Sequence, residues 1–395
     1  MVDSTIQLHN APGDTAEQQF HHRQNLVRQG WDDVALDSLL QTRLDIDQVS
    51  TKNCENMIGS VEVPVGLAGP STVQLDNQTM ELWIPLATTE GALVASVSRG
   101  MKLLSQAGTT TVITQKKGMS RAPVFECTNG KIAQEFAAWL DTQTQFFAQQ
   151  ARESSSHLTY LNHTAFIQGR SVFVRFHFDT SEAMGMNMIT IALEKIIGKL
   201  FSTFSGVKLL SISGNVCTDK KPAHINTIFG RGWWVQAESF IPKELIERSL
   251  HSDVETILKV HTQKNLVGGH IAGSLGQNAH IANVAAAFYL ATGQDLAHTV
   301  NASLGSTTIE STADGIYCAV TLPEVDVGSV GGGTVLQPQS QARQLICQDK
   351  NVAVNSQLLA VTLSVGCLAA ELSLLGALAA KHLGRAHNQL GRGIK

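Results

Sequence analysis

Charged residues are scarce in this chain of 395 residues: Asp, Glu, Lys and Arg make up 16%, and 29 basic against 33 acidic side chains leave a net charge of -4. No basic excess is present, which excludes the electrostatic footprint of a nucleic-acid binder. Aromatic residues are few, at 6%. The 43% hydrophobic content is that of an ordinary soluble globular protein. The six cysteines (Cys54, Cys127, Cys217, Cys318, Cys347 and Cys367) are scattered, with no CxxC pair and no histidine at zinc-finger spacing. That pattern argues against a disulfide framework and against a metal site, and suits reduced thiols.

The N-terminus carries Asp3 and lacks an apolar core behind a basic start, so no secretory signal is expected and the protein should stay in the cytoplasm. Long apolar runs are missing but for one, Leu358 to Ala380 (LLAVTLSVGCLAAELSLLGALAA). A membrane span needs about 20 apolar residues. This run has Glu371 near its middle, small residues throughout and no basic anchor upstream. It is expected to be a helix buried inside a large domain, with no membrane partner. A dinucleotide fingerprint is missing too, because GSVGGGT (Gly328 to Thr334) does not match GxGxxG between a strand and a helix.

What is present falls into units, and the length leaves room for two or three domains. Residues 1–54 show helix-like patterns, such as Val34, Leu36, Leu39, Leu40 and Leu44, and read as a small helical N-terminal region. Around Asn56 to Pro70 the chain becomes extended and is cut by Gly and Pro. From Val124 a strand leads into a helix with Ile132, Phe136, Leu140 and Phe147 at helical spacing. Two strands follow, His157 to Ile167 and Ser171 to Phe178; the second sets Val172, Val174, Phe176 and Phe178 on one face. A helix over Met186 to Phe204 and a strand over Lys208 to Ile212 complete a β-α-β-β-α-β order, the ferredoxin-like split motif. Beyond Pro222, apolar helices (Ala279 to Thr292, Gln357 to Leu383) alternate with glycine-rich turns.

Against this background SGNVCTDKKPAHIN (Ser213 to Asn226) stands out, since it sets Asp219, Lys220 and Lys221 side by side between a Gly-Asn turn and a proline. Alone it would read as a solvated loop. Taken in order with ENMIGSVEVPVGLAGP (Glu55 to Pro70), TTEGALVAS (Thr88 to Ser96), AMGMNM (Ala183 to Met188), NAHIAN (Asn278 to Asn283), GQD (Gly293 to Asp295), VGGGT and LAAKHLGRAH (Leu378 to His387), it closely resembles hydroxymethylglutaryl-CoA (HMG-CoA) reductase. DKKP and AMGMNM are similar to the class I branch, and the match covers the soluble catalytic portion.

The resemblance implies an α+β fold. A large mixed α/β domain for CoA and substrate (55–122 and 223–395) would carry an inserted ferredoxin-like βαββαβ domain for NADP(H) (123–211), a catalytic connecting loop (212–222) and the small helical region 1–54. It further implies reduction of HMG-CoA to mevalonate in two hydride transfers, for isoprenoid synthesis. Hydride attack on a thioester creates an oxyanion, which a fixed cation in a dry site stabilises; Lys220 looks like that cation. His387 resembles the family histidine that protonates the CoA thiolate, with His382 its rival by proximity. Glu90 looks like the acid that protonates the forming alkoxide. It also reads as a carboxylate complementing a helix dipole behind Thr88 or Thr89 as N-cap. Asp295 resembles the aspartate that tunes this lysine and glutamate.

For substrate binding the match points to Arg121, Ser213, Lys221, Lys264 and Asn283, with Glu55, Asn56 and Gly59 in the CoA-contacting segment. For the nucleotide it points to Glu182, Met184, Gly185, Met186, Asn187, Met188, Val330, Gly331, Gly332 and Arg392.

Three departures stand against the family pattern. Glu182 replaces an aspartate. The arginine that meets the NADPH 2'-phosphate is missing near Ser155-Ser156-His157, which leaves NADH as an alternative. The serine phosphorylated in animal relatives is Gly393. A homo-oligomer, dimer or tetramer, with its active site between subunits is implied. NAD-dependent oxidation of mevalonate, a CoA-thioester hydrolase or lyase, and a non-catalytic CoA-binding protein are the competing readings; the last would be expected to have lost one of Glu90, Lys220, Asp295 and His387.

Overall fold

The computed structural model describes residues 8, 12–31, 33–200 and 204–381. It has the α+β architecture, organised on a ten-stranded sheet. The strands are β1 (Val65–Leu75), β2 (Gln78–Ala87), β3 (Thr110–Arg121), β4 (Val124–Cys127), β5 (Thr159–Gln168), β6 (Ser171–Asp179), β7 (Val207–Ser211), β8 (Arg231–Pro242), β9 (Ser306–Ser311) and β10 (Gly315–Val325). Their main path runs β7-β4-β6-β3-β8-β10-β9, with β5 beside β6 and β2 beside β1. All neighbours are antiparallel except β1 and β3.

Strand β3 is the joint of the molecule. Its first half pairs with β1 and β8, and its last three residues, Met119 to Arg121, pair with β6. Two hydrophobic cores lie on either side of that change of partner. The smaller gathers β4 to β7 in the order β7-β4-β6-β5. Val172, Val174, Phe176 and Phe178 of β6 are all fully buried, as a period of two predicts. Between β4 and β5 the single helix expected from Ile132 to Phe147 is two helices, Gly130–Asp141 and Thr144–Ser154. The Thr142 hydroxyl bonds back to the Trp139 carbonyl, and a threonine that offers the backbone such a local partner competes with helix continuation. The break lets Phe136 and Leu140 on one helix and Phe147 and Ala151 on the other enter the same core.

The larger core surrounds the helix Ser356–Ala379, which covers most of the predicted apolar run and is apolar on every side. It is the one helix among the described residues long and apolar enough to cross a membrane, and 94% of its most apolar window is buried within the protein. Glu371 at its middle is fully buried. Its carboxylate accepts from the Ala279 and His280 amides and the Thr307 hydroxyl, so the charge sits at the N-terminus of helix Ile281–Thr292, where the helix dipole favours it. Helix Leu93–Ala107 crosses the buried helix at Gly100, where an added Cβ would lie 1.9 Å from the Ala369 carbonyl oxygen. Only glycine permits that approach.

The N-terminal residues form helices Ala16–Gly30 and Ile46–Lys52 around a small core of Phe20, Val49 and Met57. The stretch with Val34, Leu36 and Leu39 makes only a single helical turn, Asp37–Leu40, with Val34 and Leu39 exposed, because one turn has a single inward position and Leu40 occupies it.

Candidate active site

The loop 212–222 has an unusual backbone. Asn215, Thr218 and Lys220 all adopt φ near +60°, a region that costs a non-glycine residue about 1 kcal/mol or more. Buried side chains hold it there. Arg175 donates to the Val216 carbonyl, Ser120 to the Cys217 carbonyl, and Asn301 to the Thr218 carbonyl. Asn226 ties the Thr218 hydroxyl to Glu324. So fixed, the loop presents Asp219 and Lys220 to a cavity of about 770 Å³.

Asp295 meets the lysine across this cavity. Gly293, in the left-handed region, ends helix Ile281–Thr292 and turns the chain so that Asp295 caps the next short turn, Leu296–His298. Lys220 Nζ lies 2.9 Å from Asp295 Oδ2. Burial favours the neutral form of Asp295, but the Lys220 ammonium, the Ala297 amide and His298 outweigh it and hold its pKa below the ordinary carboxylate value.

Beneath the pair lies a buried ionic network that sequence reading missed. Arg231, fully buried, donates to Asp219 at 2.9 Å and Glu324 at 3.2 Å, and closely to Asp326. Burial opposes its charge; Asp326, Glu324 and Asp219 more than restore it and raise its pKa. Burial and the neighbouring Asp326 push Glu324 well above the ordinary range, whereas Asp326, despite its burial, is held down by Arg231 and His298. The two carboxyls are thus pushed in opposite directions by their surroundings. In sequence, PEVDV shows charges alternating with valines, a pattern that ordinarily means a solvated strand face.

Arg121 lines the cavity, 3.8 Å from Asp219, with its guanidinium anchored on the Thr190 hydroxyl. Met184, Gly185, Met186, Asn187 and Met188 also line the cavity, together with Val330, Gly331 and Gly332. Gly331 and Gly332 have positive φ, and a Cβ added to either would meet nothing within 4 Å. The main chain is therefore bare toward the cavity, as a planar cofactor requires, and the residues present fit a nicotinamide nucleotide. Glu182 does not line the cavity. Its Oε2 accepts from the Ser329 hydroxyl and the Ser356 amide, which clamps AMGMNM against the glycine loop.

Other predicted residues lie elsewhere. Glu90 is exposed and precedes helix Leu93–Ala107, whose N-cap is Ala92; the Thr88 hydroxyl accepts the Glu90 amide, so the helix begins later than expected and Glu90 stands outside its first turn. Lys264 is exposed in the π-turn Thr262–Gly268, and Asn283 lies in the first turn of helix Ile281–Thr292; neither lines the cavity. Ser213 contacts Cys217, and Lys221 turns back to the Asp219 carbonyl. Glu55, Asn56 and Gly59 are outside the cavity, although the nearby Lys52 and Asn53 reach its edge. His387 and Arg392 lie outside the described residues. A second cavity, of about 300 Å³, is lined by Arg99, Lys102 and Arg248 and contains no carboxylate. Its cationic lining had no signature in the sequence reading. Among the described residues no cluster of His, Cys, Asp or Glu is arranged to hold a metal ion.

The sequence profile of the hydroxymethylglutaryl-coenzyme A reductase family matches residues 19–392. The chain is similar to the 3-hydroxy-3-methylglutaryl-coenzyme A reductase of Haloferax volcanii, with 44% identity over 341 residues, covering 86% of this chain and 84% of that one. It is similar to the enzyme of the same name from Pyrococcus horikoshii, with 43% identity over 360 residues, covering 88% and 86%. In structure it is similar to the class II 3-hydroxy-3-methylglutaryl-CoA reductase of Streptococcus pneumoniae bound to NADPH, with a TM-score of 0.67, 21% identity, and 94% of this chain and all of that one covered.

Proposed function

Because the chain belongs to the hydroxymethylglutaryl-coenzyme A reductase family, we propose that the Lys220–Asp295 cavity reduces HMG-CoA to mevalonate with release of CoA. The observation that carries this reading is the 2.9 Å ion pair in a cavity that Gly331 and Gly332 also line with bare backbone. A reduced nicotinamide nucleotide bound along Gly331 and Gly332 would supply one hydride, so the four-electron reduction of the thioester to an alcohol would consume two nucleotides in turn. The chain's own groups do the rest. Lys220, an ammonium fixed in a partly desolvated site, stabilises the oxygen on which negative charge develops. Asp295 orients that ammonium from 2.9 Å. Arg121 is a cation suited to the free carboxylate of the substrate.

Two protons balance the two hydrides, one for the alkoxide and one for the CoA thiolate. Glu90 and His387 are the proposed donors. Glu90, Lys264 and Asn283 are outside the cavity of their own chain, which favours a dimer, or a dimer of dimers, in which a second copy brings them to it. Exposed apolar side chains such as Ile228, Phe229, Leu266 and Ile271 suit burial in such a contact. Ser213 and Lys221 belong to the substrate side of the same loop. The Arg99, Lys102 and Arg248 cavity has the charge to take a phosphate. DKKP, AMGMNM and the identity to the archaeal enzymes support class I and biosynthetic direction, in the cytoplasm. NADPH is the proposed nucleotide, with Arg392 in place of the arginine missing near Ser155 to His157.

The test follows nicotinamide absorbance and free thiol together, with HMG-CoA and either NADPH or NADH. Two reduced nucleotides consumed per CoA released, abolished by Lys220→Ala, is the expected result. Thiol release without nucleotide consumption would identify a hydrolase instead.

A further inference from the structure

The Lys220–Asp295 pair stands on a buried histidine that the proposed chemistry does not use. His298 ends the short turn that Asp295 caps, and its side chain is fully buried. Its Nδ1 lies 2.8 Å from Asp326 Oδ2, and its Nε2 lies 3.6 Å from Asp219 Oδ1 and 3.8 Å from Asp295 Oδ2. All three neighbours are carboxylates, and neither ring nitrogen has a well-aligned hydrogen bond. What the ring can offer them is charge at short range. A neutral imidazole would turn a lone pair toward one of these carboxylate edges in a low-dielectric interior, which is repulsive; an imidazolium turns an N–H toward each.

The other charged groups around the ring have partners of their own. Arg231 is shared among Asp219, Glu324 and Asp326, Arg121 faces Asp219 from β3, and Lys220 faces Asp295 from the catalytic loop. Burial and Asp326 push the Glu324 pKa up, and Tyr289, fully buried within the electrostatic reach of Asp326, is pushed up by its burial. His298 is the group that touches both carboxylates of the cavity from below.

We infer that His298 is a positioning residue of the reduction, a buried imidazolium braced on Asp326 that lies against Asp219 and Asp295 and so keeps the Lys220 ammonium in place. This rests on the reading of Lys220 and Asp295 as the reducing site. The positive ring is among the causes that lower the Asp295 pKa; without it Asp295 takes up a proton at higher pH and loses its hold on Lys220.

Two measurements test this. The first compares the pH profile of kcat for wild type and His298→Gln with HMG-CoA and reduced nicotinamide. The variant is expected to keep KM within about threefold, to lose about tenfold or more in kcat, and to show an acid limb moved up by about half a unit. An equal loss at every pH, with the acid limb unmoved, would overturn the proposal. The second is nitrogen NMR of histidine-labelled wild-type protein, which needs neither turnover nor a folded variant. At a pH of about 7.5 it should contain a histidine protonated on both ring nitrogens; if every histidine is neutral there, the proposal fails. If the wild type itself consumes no nicotinamide with HMG-CoA, the reductase reading fails, and the NMR result alone decides the charge on His298.

Discussion

Lys220 Nζ lies 2.9 Å from Asp295 Oδ2, and the lysine reaches that position from a backbone held at φ +57°. The strain and the ion pair belong together, since the loop that aims the ammonium is clamped by Arg175, Ser120 and Asn301 from below. Asp295→Asn removes the negative partner while preserving shape. It is expected to lower kcat by about a hundredfold, with little change in KM, in steady-state reduction of HMG-CoA.

Glu182 joins three segments through one oxygen, accepting from the Ser329 hydroxyl at 2.8 Å and the Ser356 amide at 2.7 Å. Glu182→Ala removes the side-chain tie and leaves the glycine loop held to AMGMNM by the Ser329 amide to Glu182 carbonyl bond and the Ala183–Val330 bridge. The expected result is a KM for the reduced nucleotide raised about threefold to tenfold, and a folded state weakened by about 1–3 kcal/mol, read from nucleotide titrations and urea midpoints.

The buried Glu371 carboxylate satisfies two amides and a hydroxyl. Truncation to Ala orphans all three inside the larger core. Glu371→Ala should cost about 3 kcal/mol or more in urea unfolding. A loss under about 1 kcal/mol would mean that these donors find other partners.

Glu324 and Asp326 share Arg231 but are shifted in opposite directions. Because burial and Asp326 raise the Glu324 pKa whereas Arg231 and His298 hold that of Asp326 down, Glu324→Gln is expected to lower the urea midpoint at neutral pH less than Asp326→Asn.

The same pair sets an acid limit. The folded pKa values of Asp326, about 2, and of Asp295 lie below their ordinary values. Their contribution is therefore complete above the ordinary carboxylate pKa and is lost as pH falls toward the folded values. Circular dichroism against pH should show wild-type stability falling between about pH 4 and 2, and a shallower dependence in Asp326→Asn.

Local signals were legible wherever the backbone imposes a period. The β6 alternation, the Gly293 helix stop and the buried character of the Ser356–Ala379 helix were all readable from residue order. Glu371 argued against a membrane span, and the structure adds why it is tolerated, by placing it against a helix N-terminus. The helix break at Thr142 was less legible, because hydrophobic spacing continued through it and only a side-chain bond interrupts it.

The sequence by itself determined the order of elements between Val124 and Ile212 apart from the break at Thr142, the absence of a dinucleotide fingerprint, and the set of motifs in which Lys220 and Asp295 stand. These depend on neighbours in the chain, whose geometry is set by backbone periodicity and turn chemistry. Only the tertiary structure decided that Lys220 and Asp295 share a cavity, that Glu90, Lys264 and Asn283 are outside it, and that Arg231, His298, Glu324 and Asp326 support it from within. Charge in a strand reads as solvent-facing until a partner from a distant segment is brought within a few ångströms. That proximity is a property of packing, and no local pattern contains it.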